Sequence, residues 1–202
     1  VAGLQAIATA KRLGAVVEAT DLRPTAKDQV ESLGGKWLDV TMSEEEKQKA
    51  ADAAKNGYGW MPGEQYIKDQ AIIVDKAVSN ADIVITTALL PGRDAPRLIK
   101  AETVAKMKPG SVILDMAVET GGNVEGSQCG ETVVTDNGVK ILGVPNIPST
   151  VSTEASALYA RNVLNFVETL FDSEKNFAIS QEDEIQKALL VTHGGQVLLK
   201  RG

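Results

Sequence analysis

The 202-residue chain holds one cysteine, Cys129, and one histidine, His193. A lone thiol rules out a disulfide framework and fits a reducing compartment, and one His with one Cys cannot build a usual zinc shell. Aromatic residues make up only 4% of the chain while apolar residues reach 43%. The core must therefore rest on Ala, Val, Ile and Leu, which favours buried parallel strands covered by helices over an aromatic-rich sandwich. No basic cluster interrupts the net charge of −6. That argues against nucleic-acid binding, which draws most of its affinity from neutralising phosphates. Continuous apolar runs are short, so the chain is not expected to span a membrane. Its length allows one full-sized domain plus an appendage.

What is present alternates. Small residues from Leu4 to Leu13 read as a helix, and Ala15 to Thr20 as an apolar strand ending on Asp21. Thr25-Ala26-Lys27-Asp28 resembles a capping box opening a helix that ends at Gly34-Gly35, and Lys36 to Val40 reads as a short strand. Ser43 followed by Glu44-Glu45-Glu46 caps a charged helix through Lys55, expected to be solvated because its apolar content is almost all alanine. Ile67, Ala71, Val74 and Val78 fall at helical spacing. Ala81 to Ala88 and Ser111 to Val118 are buried-strand patterns, separated by a helix over about Lys100 to Met107. Asn137-Gly138 marks a hairpin within Thr132 to Leu142. A helix from about Ser149 to Phe171 carries Leu158, Val163, Phe166, Val167 and Leu170 on one face. Strands alternating with helices predict an α/β fold with a doubly wound parallel sheet, Rossmann-like in order. The predicted division is residues 1–148 for that domain and 149–202 for a long helix and tail.

In such sheets ligands sit beyond the carboxyl ends of the strands. Asp21, Leu89 with Pro91-Gly92, Glu119 with Gly121-Gly122, and Asn146 all fall there, although each also suits a plain turn. Val1-Ala2-Gly3 opening a helix, with Asp21 following Gly3 by 18 residues, reads as the back half of a dinucleotide-binding βαβ unit. The glycine permits close helix–sheet packing, the helix N-terminus faces a pyrophosphate, and the acid takes a ribose 2′-hydroxyl. On that reading the unit's first strand and first glycines would precede Val1.

Three further segments carry a family likeness together with residues 1–15: Thr20-Asp21-Leu22-Arg23-Pro24, Thr86-Thr87-Ala88-Leu89-Leu90-Pro91-Gly92 and Met107-Lys108-Pro109-Gly110-Ser111-Val112-Ile113. They resemble the NAD(H)-binding domain of the proton-translocating NAD(P) transhydrogenase alpha subunits, and the last two are shared with the related alanine dehydrogenases. The resemblance implies NAD(H) contacts at Val1, Ala2 and Gly3 on the pyrophosphate, and at Asp21, Leu22 and Arg23 around the adenosine ribose. Gly57, Gln70 and Leu89 are similar to further contact positions, and Tyr58 to the tyrosine of a loop closing over the nucleotide. It also implies NADP(H) on a partner domain, a membrane domain in the same complex and a homodimer. The expected location is the cytoplasmic face of a bacterial inner membrane, or the matrix side of the mitochondrial one. The tail would pack on a half-domain outside this chain.

Hydride transfer between two nicotinamides needs no general acid or base from the protein, so no catalytic side chain is expected. Two rivals stand beside this reading. An alanine dehydrogenase-like oxidoreductase would need a proton-transfer residue, and where that family carries an aspartate this chain has Glu119. A nucleotide-sensing regulatory domain would need Asp21 and no catalytic group.

Overall fold

Ala2–Arg12 has the small and straight-chain residues that form helices at low entropic cost, and it forms the first helix, α1. The computed structural model describes residues 1–23, 25–55, 62–90 and 92–198. Two units make up the chain, Val1–Pro145 and Asn146–Gly202. In the first, β1 (Glu18–Ala19), α2 (Ala26–Ser32), β2 (Lys36–Trp37), α3 (Glu44–Lys55) and α4 (Glu64–Asn80) follow α1. Then come β3 (Ile83–Thr86), α5 (Ala101–Val104), β4 (Val112–Asp115), β5 (Thr132–Val134) and β6 (Lys140–Leu142).

The strands are mainly parallel, as the alternation predicts. β1 pairs with β2, and a second sheet runs β3-β4-β6-β5 with only the β5–β6 pair antiparallel. Among the described residues no ladder joins β1 to β3. Ile83 and Ile85 of β3 remain 69% and 42% exposed. The main core lies under the larger sheet, where Ile113 and Ile141 meet Val78, Ile99, Val104, Met107, Val124 and Val139.

Several local expectations hold, and some do not. Ser43 and Glu46 form the reciprocal capping box: Glu46 N–H donates to Ser43 Oγ at 3.2 Å, and Ser43 N–H and Oγ each donate to Glu46 Oε2 at 2.9 Å. Thr25, by contrast, sits in helical backbone geometry with no side-chain cap bond. Helix α3 is not wholly solvated, because Ala50 is buried against Tyr66. Helix α4 turns Tyr66 inward instead of Ile67, which is 51% exposed.

At the β5–β6 hairpin only Gly138 takes positive φ, +82°. Asn137 instead donates Nδ2 hydrogen bonds to the carbonyls of Val104, Ala105 and Met107, closing the end of α5. The predicted strands 15–20 and 36–40 shrink to two-residue ladders.

In the second unit, α6 (Ser152–Thr169) is followed by α7 (Glu184–Leu189) and a small hairpin of β7 (Thr192–His193) and β8 (Gln196–Val197). Helix α6 buries none of its residues. Leu158 and Tyr159 are both 72% exposed.

Candidate nucleotide site

The first turn of α1 carries backbone amides with no intrahelical acceptor, and Val1 supplies no side-chain cap. A Cβ placed on Gly3 would lie 3.4 Å from Thr87 Oγ1, so α1 enters close against the residue that follows β3. That separation is ordinary van der Waals contact, so alanine at Gly3 would just touch Thr87. The loop carrying Leu89 thus begins beside the helix end at which an anion is favoured.

Asp21 lies just beyond β1. Arg23 donates to both its oxygens: backbone N–H and Nε to Oδ1 at 2.9 and 3.0 Å, and Nη2 to Oδ2 at 2.9 Å. Burial pushes the Asp21 carboxyl up, but the hydrogen bonds and charge of Arg23 outweigh it and hold the group below its ordinary value. Asp21 is therefore a fixed anion at neutral pH, with lone pairs left for further donors.

Beside it, Thr20 Oγ1 is buried with no hydrogen-bond partner among the described residues. Both line a cavity of about 130 Å³ with Lys27, Trp37, Asp39 and Tyr66. That is smaller than a whole-ligand pocket of roughly 300 Å³ or more, and it suits one polar edge of a ligand. The Tyr66 hydroxyl is raised above its usual range by burial, then by the charges of Asp21 and Glu46.

The structure distributes the sequence-predicted residues unevenly. Val1 and Ala2 are exposed at the start of α1. Leu22 packs on the Ala50–Tyr66 cluster, so it has a structural role as well. Gln70 is half-buried on α4, one turn past Tyr66, and Leu89 is 56% exposed after β3. Gly57 and Tyr58 lie outside the described residues. Glu119 sits exposed in a short 3₁₀ turn, Val118–Thr120, after β4. Thr20, Tyr66, Asp115 and Asn123 were not anticipated. The signal for Asp115 was available, since a carboxylate inside the apolar run Val112 to Val118 needs an explanation.

An open helix N-terminus, a glycine at the helix–strand approach, and an acid with an unpartnered hydroxyl beyond the next strand fit a dinucleotide. A family model described as alanine dehydrogenase/PNT, C-terminal domain, matches residues 1–200. The chain belongs to this alanine dehydrogenase/PNT C-terminal domain family. Among its relatives is the first part of NAD(P) transhydrogenase subunit alpha of Rhodospirillum rubrum. The two are 52% identical over 199 residues, covering 98% of this chain and 50% of that protein. It is 40% identical to NAD(P) transhydrogenase subunit alpha of Haemophilus influenzae, over 97% of this chain and 37% of that one.

A solved transhydrogenase from Sinorhizobium meliloti superposes with a TM-score of 0.74 at 45% identity, over 97% of this chain and 49% of that one. This alanine dehydrogenase/PNT domain is thus Rossmann-like, and it spans 50% of the Rhodospirillum rubrum relative and 37% of the Haemophilus influenzae one. Among its described residues, no helix is long and apolar enough to cross a membrane.

Proposed function

We propose that this alanine dehydrogenase/PNT domain is the NAD(H)-binding part of a proton-translocating NAD(P) transhydrogenase. The carrying observation is Asp21, an anion fixed at the end of β1, in a chain 52% identical to a transhydrogenase alpha subunit. Bound NAD(H) would supply the hydride chemistry at its nicotinamide, with NADP(H) held on a partner domain as the other substrate. The chain's own residues bind and orient. The Ala2 and Gly3 amides, with the α1 dipole, hold the pyrophosphate, and Asp21 accepts from the adenosine ribose while repelling a 2′-phosphate. Arg23 keeps the Asp21 carboxylate in place, and Gln70 and Leu89 line the remainder.

Around this site would stand an NADP(H)-binding domain, a membrane domain and a second copy of the subunit, with the domain on the cytoplasmic or matrix face. Residues 149–202 would pack on the subunit's other half. The exposed apolar face of α6 supports this, with Leu158, Val163 and Val167 at 72%, 42% and 38%.

Calorimetric titration of the intact subunit tests the cofactor choice. NADH should bind more than tenfold tighter than NADPH, a gap of about 1.4 kcal/mol or more. Equal affinities would sink the proposal. One observation favours an alanine dehydrogenase-like activity as a second reading: Glu119 is an exposed acidic residue in the short turn that follows β4.

A further inference from the structure

Asp115 ends β4 with no solvent exposure at all. Its Oδ1 accepts from Thr86 Oγ1 at 3.3 Å, from the Ala117 amide at 3.1 Å and from the Asn123 amide at 3.2 Å. Its Oδ2 accepts from the Val124 amide at 3.1 Å. Buried charge is tolerated only when its lone pairs are used in this way. The carboxylate thereby folds segment 117–124 back onto the end of its own strand.

Asn123, also without exposure, then reaches the neighbouring loop. Its Oδ1 accepts from the Ala88 amide at 3.1 Å, and its Nδ2 donates to the carbonyls of Ala88 at 2.9 Å and Pro96 at 2.8 Å. Its own carbonyl accepts from the Leu98 and Ile99 amides at 2.8 and 3.0 Å. One primary amide therefore pins both ends of the stretch that runs from Leu89 to Ala95. Aspartate at this position would face two carbonyls without a donor, and alanine would leave three backbone groups unpaired.

The pinned loop begins beside Gly3, and it holds Leu89 and Leu90 outward at 56% and 42% exposure. Apolar side chains held in water on a tethered loop, at the ligand edge of a parallel sheet, point to a ligand that covers them.

We infer that Asn123, seated on Asp115, is the positioning residue for the nucleotide-facing loop that carries Leu89. It acts through that loop's backbone and not by touching the nucleotide. The inference rests on the proposed NAD(H) site and adds to it a residue far along the chain from the Gly3–Asp21 motif.

The test uses the intact subunit with Asn123→Ala, Asn123→Asp and a core control outside the loop, Val139→Ala. Without nucleotide, amide hydrogen exchange in residues 88–96 should rise about tenfold or more in both Asn123 variants, and stay at the parent rate in Val139→Ala. NADH affinity should fall about tenfold in the Asn123 variants, with KM for NADH rising more than kcat falls, and should stay within about twofold in the control. Should Asn123→Ala fail to fold, the near-isosteric Asn123→Asp carries the comparison. Parent-like exchange and NADH affinity in the Asn123 variants would overturn the inference while leaving the cofactor reading intact, as would an equal loss of affinity in Val139→Ala. A parent that does not bind NADH would overturn both.

Discussion

Adjacent glycines after β4 provide a built-in control for the cost of crowding the buried carboxylate. Gly121 and Gly122 have φ of +94° and +80°, so alanine at either one incurs the left-handed penalty of about 1–2 kcal/mol. There the likeness ends. A Cβ on Gly121 meets nothing within 4 Å, whereas one on Gly122 would lie 2.6 Å from Asp115 Oδ2. Relief requires the carboxylate to retreat by roughly half an ångström or more from donors already 3.1–3.3 Å away. Losing one or two hydrogen bonds to a buried charge costs about 2–4 kcal/mol. Gly122→Ala should therefore destabilise by about 3–6 kcal/mol in total and Gly121→Ala by about 1–2 kcal/mol. Urea unfolding followed by circular dichroism measures both, with the midpoint shift read at constant m. Equal shifts for the two variants would refute the argument, since strain alone would then account for both. In an Asp115→Asn background, the two substitutions should become non-additive only at Gly122.

Four further outcomes are expected. The folded Asp21 pKa lies below its unfolded value of about 3.9, so the group stabilises the fold at neutral pH and loses that contribution as pH falls below about 4 through the lower folded pKa; a stability gap between parent and Asp21→Asn that stays constant from pH 6 to pH 3 would contradict this. Asp21→Ala should weaken NADH and narrow its advantage over NADPH, because Arg23 is freed to meet a 2′-phosphate, and adding Arg23→Gln should abolish any gain in NADPH affinity. Glu119→Gln should leave hydride transfer between NADH and NADP within about tenfold of the parent, and a loss of several orders of magnitude with unchanged NADH affinity would favour the dehydrogenase-like reading. Ser43→Ala should cost about 1 kcal/mol by removing one half of the capping box at α3, read as a lowered urea midpoint.

The parallel α/β order was legible because its signals are local. Apolar runs such as Ile83 to Thr86 and Val112 to Asp115 lie between helical stretches, and Ser43 with Glu46 marks a helix start within four residues. Tyr66 was not legible: a helix with apolar residues on more than one face can rotate either inward, and the packing that decides it comes from Ala50 on a different helix, α3. The Thr25 cap failed for a related reason. Its sequence matches the motif, yet Thr25 takes helical φ and ψ where a capping residue is normally extended, and its side chain makes no cap bond.

At the site, the Gly3–Asp21 spacing is a one-dimensional signal and was readable. The clamp of Asp115 and Asn123 on Ala88 and Pro96 joins residues about 30 positions apart, and no pattern within either segment announces it. Gly57 and Tyr58 fall outside the described residues.

Among the described residues β1 and β3 each pair on one side only, which bears on how copies of this segment behave toward one another. A strand with unused amides and carbonyls is a template for any other strand, and Ile83 and Ile85 add an apolar face to that template. Repulsion between copies bearing −6 each opposes such pairing. That repulsion reaches about 30 Å at 10 mM salt but only about 3 Å at 1 M, while edge pairing is short-ranged and survives screening. The segment prepared by itself should therefore remain dispersed in dilute buffer and self-associate as ionic strength rises. Light scattering would follow the change, and Ile83→Lys would suppress it.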